Sequence, residues 1–109
     1  MAQLSASEPA LSGTTIPFSA ASSGGDTVKS QDGLLVAVRN DDTAGKTVTI
    51  ASQVAASPGV QPADVDVNVA AGDVAVIPVG GNNRFADNDG LVQITYSATT
   101  SVEVAAMLV

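Results

Sequence analysis

From Leu34 to Val109 the chain alternates. Short runs of Val, Ile and Thr, with polar residues at every second position, are each ended by a cluster of Gly, Pro, Asn or Asp. A period of two sends neighbouring side chains to opposite faces of a strand. Several such runs at regular spacing predict a small β-sandwich or barrel. Leu34-Leu35-Val36-Ala37-Val38-Arg39 is apolar at both parities, as expected of a strand covered on both faces. Asn40 to Gly45 predicts a turn, because Asn and Asp side chains bond their own backbone and Gly accepts positive φ. Lys46-Thr47-Val48-Thr49-Ile50 then turns Val48 and Ile50 inward, so the expected unit is a hairpin.

The rest of the chain follows the same logic. Gln53 to Asp64 carries Pro58, Gly59 and Pro62 and predicts a long connection that could cross between sheets. Val65, Val67 and Val69 alternate with Asp66 and Asn68, Ala71-Gly72 predicts a tight turn, and Val74 to Pro78 returns. Leu91 to Tyr96 and Val102 to Leu108 are two further strands. Upstream, Thr14 to Ser19 predicts a first strand, which Pro17 confines to a sheet edge because it lacks a ladder donor. Asp26-Thr27-Val28 reads as a short pairing segment or a loop. No window carries a capped helical period. The expected fold is all-β: a single antiparallel β-sandwich of about eight strands, with a jelly roll as one form of it. The core expected from these faces is Val36, Val38, Val48, Ile50, Val67, Val74 or Ile77, Ile94, Tyr96 and Val104. Residues 14–109 make up this domain. Residues 1–13 are expected to be a flexible N-terminal arm, either a frayed end or a strap anchored on a neighbour by Leu4 and Leu11.

Composition narrows the chemistry. The chain has 109 residues, 45% of them hydrophobic but only 3% aromatic, so one domain must be held by a thin aliphatic core. Such a core gains from oligomerisation. Cysteine and histidine are both absent. That removes disulfides, thiolate metal sites, the usual neutral-pH general base and the Ser-His and Cys-His nucleophile systems. Net charge is −7. Lys29, Arg39, Lys46 and Arg84 are scattered, so nucleic-acid binding is disfavoured, and anionic membranes should repel the chain. No apolar run approaches the roughly 20 residues of a membrane span, and Met1 to Ala6 does not read as an export signal. The expected site of synthesis is the cytoplasm. No enzyme activity, cofactor or metal is expected.

Several polar groups could carry binding chemistry. Asp87-Asn88-Asp89-Gly90 spaces side-chain oxygens as in part of a calcium loop, but the remaining ligands of such a loop are missing and a hairpin turn fits better. Asp41-Asp42 reads as a pair of solvated turn carboxylates. Asp64 and Asp66 share a strand face, which suits solvent, a partner's Arg or Lys, or a cation. Arg84-Phe85 leaves two readings open: Phe85 closes one end of the core, or the pair forms an exposed interface anchor. Gly80-Gly81 lacks the Gly-Lys-Ser/Thr that a phosphate loop needs. The candidate partner contacts are thus Leu4, Leu11, Asp41, Asp64, Asp66, Arg84 and Phe85.

The order of segments resembles the small phage head-decoration proteins, also called cement or capsid-stabilising proteins. Leu35-Val36-Ala37-Val38-Arg39-Asn40-Asp41-Asp42 followed by Lys46-Thr47-Val48-Thr49-Ile50 is similar to their LxVRNxD…xTVTI hairpin. Val69 to Pro78 resembles their V-x-A-G turn and strand, and Phe85 with Asp89-Gly90-Leu91-Val92-Gln93-Ile94-Thr95-Tyr96 resembles their F…DGxVxIxY segment. The likeness spans Leu34 to Val109. It implies a non-enzymatic protein on the outer surface of an icosahedral capsid, commonly a homotrimer, with the major capsid protein as partner and the virion as its location. Another virion β-sandwich, such as a tail, fibre or head-tail component, is the alternative. A cell-surface ligand-binding module and a carboxylate-based enzyme stand behind it.

Overall fold

The computed structural model describes residues 2–8, 11, 13, 15–52, 64–80, 85–87 and 89–108. Ten strands form in chain order: β1 (Ala2–Leu4), β2 (Ala6–Ser7), β3 (Ser19–Ala20), β4 (Asp26–Lys29), β5 (Leu34–Asn40), β6 (Lys46–Ile50), β7 (Val65–Val69), β8 (Val74–Pro78), β9 (Leu91–Tyr96) and β10 (Val102–Leu108). They build two sheets packed face to face. One has the order β1-β4-β9-β6-β7; the other has β2-β10-β5-β8, with β3 also paired to β10. No α-helix occurs among the described residues, and the all-β sandwich expected from the alternation is the fold.

The pairing is nested. β3 pairs β10, β4 pairs β9, β5 pairs β8 and β6 pairs β7, all antiparallel. The chain therefore forms one long antiparallel ribbon whose closed end is the β6–β7 connection. Rolling it up brings β10 beside β5 and β9 beside β6, again antiparallel. This strand order is that of a jelly roll. Two short strands are added outside it. β1 pairs β4 and β2 pairs β10, both in parallel, so each sheet is mixed rather than purely antiparallel.

This topology corrects the expected hairpin at residues 34–50. β5 and β6 lie in different sheets, as do β7 and β8. The turns at 41–45 and 70–73 are corners between sheets. The 51–64 connection, expected as a candidate crossing, joins neighbours in one sheet instead. The reason lies at Asn40, which is fully buried. Its Nδ2 donates to the carbonyls of Ala44 and Val69, each at 2.9 Å, and its Oδ1 accepts the Asp42 N–H at 3.0 Å. Its backbone takes the Gly72 N–H at 2.7 Å and gives its own N–H to Asp73 at 2.9 Å. Asp41 N–H donates to Ser101 at 2.9 Å, which ties in a third corner. Gly72 holds φ +79°, a conformation that side chains rarely adopt. At the opposite end, Gly80 passes so near the 31–34 turn that a Cβ would sit 2.2 Å from Leu34 N.

The core lies between the sheets. Val28, Val48, Ile50, Val69, Val92 and Ile94 face Leu34, Val36, Val38, Ile77, Val102 and Val104, all buried. Each contributes about 1.5–3 kcal/mol on burial. Val67 and Tyr96 are only partly buried. Ile77, not Val74, points inward. Val74 lies on the other parity of β8 and is exposed. Two further corrections concern the upstream region. Of the strand expected at 14–19, Thr14 lies outside the described residues and 15–18 are not in a strand, because a Phe18 N–H bond to the Ile16 carbonyl at 2.9 Å contracts the chain around Pro17; pairing starts at Ser19. Residues 2–7, expected as a separate arm, are paired into both sheets, and Leu4 packs against the core.

Asn40→Ala removes two donor bonds and one acceptor bond, of which the one to the Val69 carbonyl is fully buried. The expected cost is about 3 kcal/mol, read as a lowered urea midpoint at unchanged m-value. Asn40→Asp, which keeps the acceptor for Asp42 but loses both donors, is expected to be no better.

Candidate interaction surface

The two outer faces of the sandwich differ in chemistry. On the β4-β9-β6-β7 sheet the outward parity is Thr27, Lys29, Gln93, Thr95, Thr47, Thr49, Asp66 and Asn68. These side chains bond each other across strands: Thr47 Oγ1 donates to Asn68 Oδ1 at 2.9 Å, and Thr49 Oγ1 to Asp66 Oδ1 at 2.7 Å. On the β10-β5-β8 sheet the outward rows are Met107-Leu35-Pro78, Ala105-Ala37-Val76 and Glu103-Arg39-Val74. Two rows of three are wholly apolar. Val74 and Val76 are 51% and 57% exposed, on the strand at the free edge of this sheet.

The third row carries the charge. Arg39 lies 4.5 Å above the Phe18 ring, donates from Nε to Glu103 Oε1 at 3.1 Å, and meets Asp41 Oδ2 at 3.4 Å. The bond to Glu103 is the main reason its guanidinium holds its proton more firmly than usual. Asp73 is exposed beside Val74 and has no ion pair among the described residues. Two carboxylates thus share one guanidinium, and Asp73 adds a further negative charge at the start of β8.

The candidate contact residues are scattered over the molecule. Leu4 is half-buried under the core, and Leu11 is fully exposed. Asp41 belongs to the Arg39 cluster. Asp64 accepts the Ser52 N–H at 2.8 Å and Asp66 the Thr49 hydroxyl, so both serve local structure on the far side from Arg39. Phe85 is 6% exposed and closes the core at the Leu34 end, which removes it as a surface anchor. Arg84 lies outside the described residues. The sequence reading missed Val74 and Val76 as surface residues. β8 is apolar at both parities, so alternation does not say which parity turns out.

Asp87 behaves as a turn carboxylate. Its Oδ1 accepts the N–H groups of Asp89 at 2.8 Å and Leu91 at 3.0 Å, and its Oδ2 accepts Gln93 Nε2 at 2.9 Å. The Gln93 amide, then the Leu91 N–H, hold its pKa below the usual carboxylate range. Asn88 lies outside the described residues, and no metal-holding cluster occurs among those described. Asp42 is likewise held low, mainly by Lys46 Nζ at 2.8 Å and also by the Thr43 N–H. The Lys46 side chain is itself buried. Asp26 is the buried acidic side chain among the described residues, and the sequence reading did not single it out. Its Oδ2 accepts the Tyr96 hydroxyl at 2.7 Å and the Ser22 N–H at 3.2 Å, and its Oδ1 is unpartnered. Burial, reinforced by this bond, pushes the Tyr96 hydroxyl pKa up. An open groove of about 490 Å³ runs past Gln3, Lys29, Asp89 and Leu91; one ammonium and one carboxylate line it, with no convergent set of polar groups.

Comparison with known proteins yields no match: no family model fits the chain, and no curated protein or solved structure is similar to it.

The lowered Asp42 and Asp87 pKa values set the acid limit. An unfolded carboxyl titrates near about 4, above these native values, so in that window the unfolded chain binds more protons. Their contribution is complete above about pH 4 and is lost as pH falls through the native values. Thermal melts in a pH series are expected to show a plateau above that point and a steep fall below it. Asp87→Asn should flatten the fall. A second test concerns residues 1–7. Their deletion should lower the melting temperature by about 5–10 °C, because β1, β2 and the Leu4 contact are lost.

Proposed function

We propose that this chain is a non-enzymatic capsid-decoration protein of a phage head. It docks on the outer face of the icosahedral shell, takes the major capsid protein as its partner and acts as a homotrimer. The observation that carries the reading is the pair Val74 and Val76, exposed on β8 at the free edge of the β10-β5-β8 sheet beside exposed Pro78. Apolar side chains left in solvent along one strand edge favour an interaction site. The sequence resemblance over Leu34 to Val109 supports the same reading. So does the use made of the polar residues: Asn40, Asp42, Asp64, Asp66 and Asp87 all bind turns or ladders of their own chain. A contact of this size is weak alone. Repeated over a lattice and within a trimer, it becomes strong through avidity.

The test is co-sedimentation with empty heads of the phage that encodes the chain, followed by electron microscopy. Wild type is expected to bind saturably and to appear as density on the outer surface. The double variant Val74→Lys, Val76→Lys should keep its β spectrum, since both side chains already face solvent, while occupancy at equal concentration falls about tenfold, equivalent to about 1.4 kcal/mol. Absence of wild-type density from the shell would overturn decoration. Undiminished binding of the double variant would move the contact to another face.

A further inference from the structure

Strand β8 presents a ladder position that no described residue fills. Asn40 N–H bonds to the Asp73 carbonyl, and Val79 N–H bonds to the Leu34 carbonyl at 3.1 Å. In an antiparallel pair, bonded positions alternate with non-bonded ones. Ala75 and Ile77 therefore spend their backbone groups on β5. Val74, Val76 and Pro78 turn theirs to the open edge. Val74 and Val76 each offer an N–H and a C=O there, and Pro78 offers only its C=O.

Unpaired strand edges invite addition, and proteins guard those that must stay alone with charge, proline or cover. The edges of this molecule are treated differently from one another. Residues 2–7 cover the outer edges of β4 and β10. The β7 edge carries Asp66 and Asn68 on its outward parity, with Asp64 just before it. The β8 edge carries exposed valines. Its guards stand only at its ends, Pro78 at one and Asp73 just before the other, and leave the middle of the edge open.

We propose that the β8 edge accepts an extended segment of a partner protein by antiparallel strand addition. The segment is β-branched at alternate positions and carries Lys or Arg at its C-terminal end, beside Asp73. The apolar requirement comes from Val74 and Val76, whose outward side chains would flank those of the added strand. The basic requirement comes from charge. Asp73 has no ion pair among the described residues, the neighbouring Arg39 is already shared between Glu103 and Asp41, and the chain carries −7 overall. The same charge disfavours a second copy as the occupant, since pairing β8 with itself brings two acidic ends together. Main-chain bonds supply the affinity in such complexes and the alternate side chains supply the selectivity.

The test uses the isolated protein and a synthetic peptide, acetyl-Val-Thr-Val-Thr-Lys-Lys-amide, with a version carrying Glu in place of both Lys as control. Amide hydrogen exchange is followed by NMR. The Lys peptide is expected to slow exchange at Val74 and Val76 by about tenfold at saturation and to leave Ala75 and Ile77, already bonded to β5, nearly unchanged. Asp73→Asn should weaken the effect while leaving the fold intact. Val76→Pro should abolish it by removing one free donor, and its melting temperature reports whether β8 persists. No slowing up to the solubility limit of the peptide overturns the proposal, as does equal slowing by the Glu peptide. Protection that grows with protein concentration alone, accompanied by a dimer in sedimentation, would assign the edge to a second copy and also overturn it. No head particles enter this test, so its failure leaves the decoration reading standing, and the failure of that reading leaves strand addition standing.

Discussion

The buried amide of Asn40 is the interaction on which the rest of the molecule depends. It sits where the chain leaves one sheet for the other, and it satisfies two carbonyls and one N–H that would otherwise be orphaned. A buried unpaired peptide group costs about as much as a lost hydrogen bond and its desolvation together. With the amide in place, the 41–45 and 70–73 corners are locked to one another, and the backbone of Asp41 adds the 97–101 turn. Three crossings between sheets are thereby fixed at one end of the sandwich. Once they are fixed, β5 must pair β8 and β10, because its own neighbours in sequence have been sent to the opposite sheet. Nested pairing follows from crossing corners. A hairpin at residues 34–50 would have left the Asn40 amide without the Val69 carbonyl that it holds.

An aliphatic core makes that precision matter. Val, Ile and Leu fill the space between the sheets, with Phe85 as the one fully aromatic closure. Small β-branched side chains bury modest area each, so stability is spread over many positions. Anything that lets the sheets slip would cost contacts along their whole length. Gly80 makes the matching constraint at the far end, where the chain leaving β8 passes against the 31–34 turn too closely for any side chain. The two ends are pinned by different means: at one end a polar side chain knots three corners, and at the other a missing side chain permits a close crossing.

How much of this was legible in the sequence follows from the kind of signal each feature leaves. Strands leave a period of two, and β5, β6, β7, β9 and β10 were readable from it, as was the inward parity of Val36, Val48, Ile50 and Ile94. Corners leave no signal of their own. Asn-Asp-Asp followed by Gly predicts a reversal, but the same residues serve a hairpin and a crossing between sheets. The choice rests on what Asn40 meets at residue 69, which is not local information. β1 and β2 were missed because Ala, Gln and Ser carry little strand preference, and their pairing is won from β4 and β10. Phe85 settled as core once the sheets were in place. For β8, Val74-Ala75-Val76-Ile77 is apolar at both parities, and only the register against β5 decides that Ile77 goes in and the two valines go out.

That last ambiguity explains the candidate site as well. A strand buried on both faces and a strand with one buried and one sticky face have the same composition, so an interaction face built from valine hides inside an ordinary core pattern. The structure separates the two by position. β5 has neighbours on both sides, and its outward Ala37 is hidden among larger side chains. β8 has a neighbour on one side only, and its outward valines meet solvent. The acidic surface then acts as the complement to that stickiness. It discourages indiscriminate self-association, while the valines at the β8 edge stay exposed. Apolar surface supplies the attraction, and like charge decides which encounters can use it.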